Sequence, residues 1–172
     1  MSWDVVEVLQ KLVSIPSVNP MGRNVSGDEY LEENVTNQLE SWFEELGVPW
    51  VRQEIEPRRS NILARIDGDT PPQEGGKILV LEAHQDTVPV EGMTIDPFDP
   101  AIREGRMFGR GSCDIKGGMA SMLVNFARCV EDRPAGMPTL VMACSVNEEY
   151  GFSGAQQMAA LWEDVRESVA RG

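Results

Sequence analysis

KILVLEAHQDTVP, residues 77–89, passes from an almost unbroken apolar run into a segment that carries a histidine and an aspartate. A continuous apolar run of that length reads as a strand buried on both faces, as in a parallel sheet covered by helices. It follows the strand-like NILARID and the polar turn GDTPPQEGG. Beyond it, a proline-rich loop leads to IREGRMFGR, which reads as a short hairpin. DIKGGMASMLVNFARCVED then shows helical spacing in Met119, Met122, Leu123, Phe126 and Cys129. TLVMACSV is a second apolar run, and NEEYGFSG leads into a helix with Met158, Leu161 and Trp162. Strand, helix, strand, helix in that order predicts a parallel βαβ core with right-handed crossovers. Upstream, a helix is expected from about Asp4 to Val13 with Val5, Val8, Leu9 and Leu12 on one face, ending in the breaker-rich SIPSVNPMG. A longer helix follows, capped by Asp28, striped by Leu31, Val35, Leu39, Trp42, Phe43 and Leu46, and stopped by Gly47. VPWVRQEI reads as a further strand.

The chain has 172 residues, 41% of them hydrophobic, about the size of one globular domain. Its 28 acidic against 15 basic residues give a net charge of −13, which repels phosphate backbones and anionic bilayers. Neither nucleic acid nor a membrane is expected as a partner. MSWDVVEVLQKLV places Asp4 and Glu7 inside its apolar run and lacks the basic start of a signal peptide, and no apolar run reaches the roughly 20 residues that span a bilayer. Cys113, Cys129 and Cys144 are odd in number and form no C-x-x-C pair, which suits a reducing compartment. A cytoplasmic location is the expectation.

In an open α/β sheet, reacting groups gather beyond the carboxyl ends of the strands. His84, the only histidine, and Asp86 lie where KILVLEAH ends; Glu148 and Glu149 lie where TLVMACSV ends; Asp114 lies where GRGSC feeds the crossover helix. Each has a plain structural explanation when taken singly. His84 can be a hydrogen-bonded ring, Asp86 an Asx turn, Asp114 the cap of a helix from about Ile115, and the glutamates a solvated pair. The glycines of GRGSCDIKGG are not followed by G-K-[ST] and make a weak phosphate loop. Together, however, four carboxylates and one imidazole at one end of a sheet repel one another unless a cation sits among them. Capping explains Asp114 alone. Two divalent metals explain all five residues: this donor set suits Zn²⁺ and is compatible with Mn²⁺ or Co²⁺. Asp86 would then orient the His84 ring. Adjacent residues leaving a strand point in different directions, so one glutamate can bind metal while the other handles a proton.

LEAHQDTVPV, DPFDPAIREGRMFGRGSCDIKGGMA and SVNEEYGFSGA resemble, in order and spacing, the co-catalytic zinc hydrolases that include acetylornithine deacetylase, succinyl-diaminopimelate desuccinylase, aminoacylase and glutamate carboxypeptidase. The resemblance runs from the first helix to the end of the chain. It implies a three-layer α/β fold of the zinc-exopeptidase type, with a mostly parallel sheet flanked by helices, and a metal-dependent deacylase or exopeptidase acting on N-acyl amino acids or small peptides. His84 is similar to a ligand of one metal, Asp114 to the carboxylate bridging both, and Glu149 to a ligand of the second. Asp86 matches the partner that orients the histidine, and Glu148 the general base that takes a proton from the attacking water and returns it to the leaving amine. Two divalent metals, Zn²⁺ first and Co²⁺ or Mn²⁺ next, are the implied cofactors.

Some positions depart from the family pattern. Asn147 stands where aspartate is common, and Ala83 where glycine is common. The family also carries another carboxylate ligand, a late histidine and an inserted lid or dimerisation domain, all further along than Gly172. Residues 1–172 are therefore expected to be the N-terminal portion of an incomplete catalytic domain, from a full-length form able to pair as a homodimer. Glu163, Asp164 and Glu167 sit in a helical setting that makes them poor substitute ligands. Little activity is expected of this chain alone, and a non-catalytic metal-binding fragment is the alternative. Exposed apolar surface, and with it poor solubility or self-association, is also expected. A serine hydrolase pairing Ser153 with His84 is disfavoured, because G-x-S-x-G is absent and the histidine precedes the serine.

Overall fold

Strand-period and helix-period segments meet in the computed structural model, among the described residues, as four α-helices around a four-stranded sheet, with a separate small hairpin. The structure describes residues 3–170, with side chains to residue 161. The side chains of Trp162, Glu163, Asp164 and Glu167 lie outside the described residues.

Helix α1 spans Val5–Ser14, and the Asp4 carboxylate caps it by accepting hydrogen bonds from the N–H groups of Val6 and Glu7. Val8, Leu12 and Val13 are buried, while Val5, expected on the buried face, is exposed. Helix α2, Glu33–Glu45, starts later than the sequence suggests. Asp28 does not cap it; the chain turns through Leu31 at a left-handed φ of 70° and enters the helix after Glu32. Gly47 ends it at φ 66°, a conformation that costs glycine little.

Strands β1 (Trp50–Glu56) and β2 (Arg59–Ile66) form an antiparallel hairpin. Strand β3 (Ile78–His84) leads through the hairpin of β4 (Ala101–Arg103) and β5 (Arg106–Phe108) to α3 (Lys116–Asp132), β6 (Thr139–Ser145) and α4 (Ser153–Ala170). The four-stranded sheet has the order β1-β2-β6-β3. The β3–α3–β6 unit is parallel as predicted, but β1–β2 and β2–β6 are antiparallel, so the sheet is mixed and not mostly parallel.

Period-two alternation divides the core into layers. Ile62, Ala64 and Ile66 of β2, with Leu140, Met142 and Cys144 of β6, face α1, α2 and α3, where Leu39, Phe43, Leu123 and Phe126 complete a large cluster. Leu63, Val141 and Ala143 face the other way, toward Met158 and Leu161 of α4. The expected three layers are present. Strand β6 is buried along its whole length, whereas β3 is an edge strand whose Ile78, Leu79 and Val80 are exposed. The apolar run of β3 therefore does not mark a strand buried on both faces. An edge strand has only one neighbour to cover it, and the sheet centre falls to β6.

Lys116 opens α3 and is buried, its Nζ donating to the carbonyls of Leu12 and Ile15 at 2.9 and 2.7 Å. It ties the end of α1 to the start of α3 and satisfies carbonyls that a helix end leaves open. Just beyond it, a Cβ on Gly117 would stand 2.6 Å from the Ser112 carbonyl, so the loop bearing Asp114 folds tightly onto the first turn of α3. Asp114 does not cap that helix: the cap position is Ile115, without a side-chain hydrogen bond. No described helix is long and apolar enough to cross a membrane.

Candidate metal centre

Parallel pairing of His84 with Ser145 sends the loops after β3 and β6 out at the same end of the sheet. His84 is thereby placed beside Glu148 and Glu149. One donor atom each from these three residues lies within 4.8 Å of the others. Asp114 arrives from the loop before α3, its Oδ1 3.3 Å from His84 Nε2, with the side chain 77% exposed. Glu148 Oε2 stands 3.6 Å from the same nitrogen. The three clusters expected to converge do so, and Asp114 flanks the His84–Glu148–Glu149 trio.

The tautomer of His84 follows from its other nitrogen. Nδ1 lies 2.9 Å from the backbone carbonyl of Asp86, which can only accept, so Nδ1 carries a proton and Nε2 is the nitrogen whose lone pair a cation would take in place of a proton. The Asp86 carboxylate is further away, 3.5 Å from Nδ1. It accepts instead from Asn19 Nδ2 at 2.7 Å and from the N–H groups of Glu148 and Glu149 at 3.0 Å each.

Electrostatics accord with a cation-seeking cluster. Burial disfavours a charged His84, but the hydrogen bond and charge of Asp86, with Glu148 adding, outweigh it and push the ring up to about 9. Burial likewise raises the Asp86 carboxyl, but contacts with His84, Asn19 and the two backbone N–H groups hold it below its ordinary value. Glu149 is raised, by burial first, with the charge of His84 opposing and those of Asp86, Asp114 and Glu148 adding. Among the described residues no lysine or arginine nitrogen lies within 4.0 Å of the Asp114, Glu148 or Glu149 carboxylates. An imidazole nitrogen able to exchange its proton for a metal, with three carboxylates around it, fits a divalent cation by donor chemistry.

Other readings of these segments do not assemble. Ser153 Oγ accepts from Asn147 Nδ2 at 2.9 Å, while the His84 ring faces Asp86, Asp114 and Glu148. Lys116 is buried beneath α1 and is not offered to an anion. Sequence reasoning missed Asn19, Glu32 and Arg59. Asn19 hides in a segment read as breakers, Glu32 in one read as helix, and their partners are remote in the chain.

The model of the peptidase family M20/M25/M40 matches residues 80–170. Acetylornithine deacetylase of Proteus mirabilis (strain HI4320) is 31% identical over 159 residues, covering 90% of this chain and 38% of that protein. Human carnosine dipeptidase 1 superposes with a TM-score of 0.72 at 17% identity, covering 90% of this chain and 34% of that one. The Bacillus subtilis YXEP protein, a dinuclear metal-binding peptidase from the M20 family, gives 0.57 at 16% identity, covering 84% and 35%. This chain thus spans less than two fifths of the length of each of these proteins. With the family model matching more than half of its residues, across all three segments that build the cluster, the chain belongs to the peptidase family M20/M25/M40.

Proposed function

We propose that residues 1–172 form the N-terminal portion of the catalytic domain of a metal-dependent hydrolase that cleaves the amide bond of an N-acyl amino acid or small peptide. In this reading His84, Asp114 and Glu149 hold divalent cations, Asp86 orients His84, and Glu148 moves the proton. The observation that carries it is the meeting of His84, Glu148 and Glu149 donor atoms within 4.8 Å, with Asp114 3.3 Å from the same ring. Zn²⁺ suits these donors, and Co²⁺ or Mn²⁺ suits them next. Two cations are proposed because Asp114 offers a second pair of oxygens beside the trio, and because the family includes a dinuclear member. The acyl-amino-acid class is proposed from the deacetylase to which the chain is similar over 90% of its length.

A bound divalent cation supplies Lewis acidity toward a carbonyl oxygen and makes water more acidic. The chain's own residues do the rest. His84 offers Nε2 because Nδ1 is committed to the Asp86 carbonyl. Asp86 spends its oxygens on the N–H groups of residues 148 and 149, which sets the turn that aims both glutamates. Glu148, with its side chain 41% exposed, is open to an incoming water, whose proton it can take and return to the leaving amine.

Equilibrium dialysis against Zn²⁺, Co²⁺ or Mn²⁺, followed by metal analysis, tests the reading. Retention is expected, with affinity at least about 100-fold weaker in His84→Ala. Amine release from N-acyl amino acids, stopped by a chelator, checks the reaction. An unaltered chain that retains none of the three metals refutes the proposal. Retention without turnover favours a metal-binding fragment that does not catalyse.

A further inference from the structure

Three successive backbone N–H groups mark the point where β6 gives way to the glutamate pair, and each is held by a buried carboxylate. Asn147 N–H donates to Glu32 Oε1 at 3.2 Å, Glu148 N–H to Asp86 Oδ1 and Glu149 N–H to Asp86 Oδ2, both at 3.0 Å. Asn147 itself sits at a left-handed φ of 60°, so the turn needs outside support. Glu32 is fully buried and 115 residues away in sequence. Arg59 grips it in a two-pronged pair, Nε to Oε2 at 2.9 Å and Nη2 to Oε1 at 2.8 Å, and is itself only 5% exposed. Asn19, also fully buried, ties the cradle together by donating to Asp86 Oδ2 at 2.7 Å and Asn147 Oδ1 at 2.9 Å.

A buried ion pair is a poor stabiliser by itself, since desolvation offsets much of the attraction and apolar side chains of like volume often serve a fold as well. This pair sits where it reaches the one N–H that Asp86 does not. We propose that Glu32, locked by Arg59, is a positioning residue: it anchors the Asn147 N–H and thereby sets where Glu148 and Glu149 project. Its link to a metal rests on the function proposed above, whereas its hold on the turn does not.

The test separates the two. Amide hydrogen exchange of the metal-free chain is compared for Asn147–Glu149 and, as a control, for Val141–Ala143 in β6. Co²⁺ affinity is measured by calorimetry, and the visible Co²⁺ spectrum is recorded. In Glu32→Gln, exchange at 147–149 should quicken by about tenfold or more, exchange at 141–143 should hold, and Co²⁺ affinity should fall by about 10–100-fold. The double variant Glu32→Leu with Arg59→Met removes both charges and guards against a misfolded single variant; the same local loosening is expected. Wild-type exchange at 147–149 in a folded variant overturns the proposal. So does unfolding of both variants, because the pair would then serve global stability. If the unaltered chain binds no Co²⁺, the metal reading fails and the exchange comparison alone decides the positioning role.

Discussion

On the buried side of the 147–149 turn, Glu32 and Asp86 have every carboxylate oxygen engaged by an N–H or guanidinium donor. On its open side, Asp114 and Glu148 are partly or largely exposed, and their only ion-pair partner among the described residues is the His84 ring. The same functional group thus appears in two states on the two sides of one short turn. Buried carboxylates are consumed in shaping the backbone, and the open ones keep lone pairs exposed. Satisfied acceptors make architecture; acceptors of like charge left open and held together by a rigid frame are what the cation site proposed above is built on.

That contrast predicts opposite costs for single substitutions on the two sides. Glu148→Gln should leave the fold and metal content in place while lowering amide hydrolysis by about 10²–10⁴-fold, measured in a form of the protein that turns over. A loss of folding stability instead would put Glu148 among the structural carboxylates. Asp86→Ala should behave the other way: it strands the N–H groups of Glu148 and Glu149 and the Asn19 amide, at roughly 3 kcal/mol of stability by urea unfolding. An unchanged midpoint would show that the buried cradle is dispensable.

The effect that is smallest per pH unit concerns Lys116, which holds α1 to α3 through the carbonyls of Leu12 and Ile15. Burial pushes it down to about 7 from its ordinary 10.5. Between those values the unfolded chain binds a proton that the native chain does not, so native stability gains with rising pH over that window. Below about 7 the full cost of charging a buried amine applies. Relative to Lys116→Met, the unaltered protein should therefore gain by up to about 1.4 kcal/mol per pH unit from 7 to 10.5. Parallel stability curves for the two proteins would show that Lys116 keeps its proton when buried.

Much of this was legible in the chain. The change of period at residues 77–84, 114–132 and 139–146 marked the βαβ unit, and the polar residues at its strand and helix ends do come together in space. Asp28, Val5 and the β3 run were misread for one reason: capping preference and apolar content are local, but burial depends on what arrives opposite. Asp28 has the chemistry of a cap, yet the chain turns at Leu31 first. The β3 run has the chemistry of a central strand, yet β6 takes the centre because β2 pairs with its other edge.

The sequence by itself determined the elements, the donor types and the strand ends on which they sit, because backbone periodicity and side-chain chemistry are properties of neighbouring residues. Only the tertiary structure decided that the sheet is mixed and that Asp86 holds the ring through its backbone carbonyl. It alone revealed that Glu32, Arg59 and Asn19 support the glutamate turn. The Glu32, Arg59 and Asn19 contacts join residues from 27 to 128 positions apart, and the choice of carbonyl over carboxylate at Asp86 depends on Asn19 and the 148–149 N–H groups arriving from afar; such partners are selected by packing, which leaves no periodic trace in the chain.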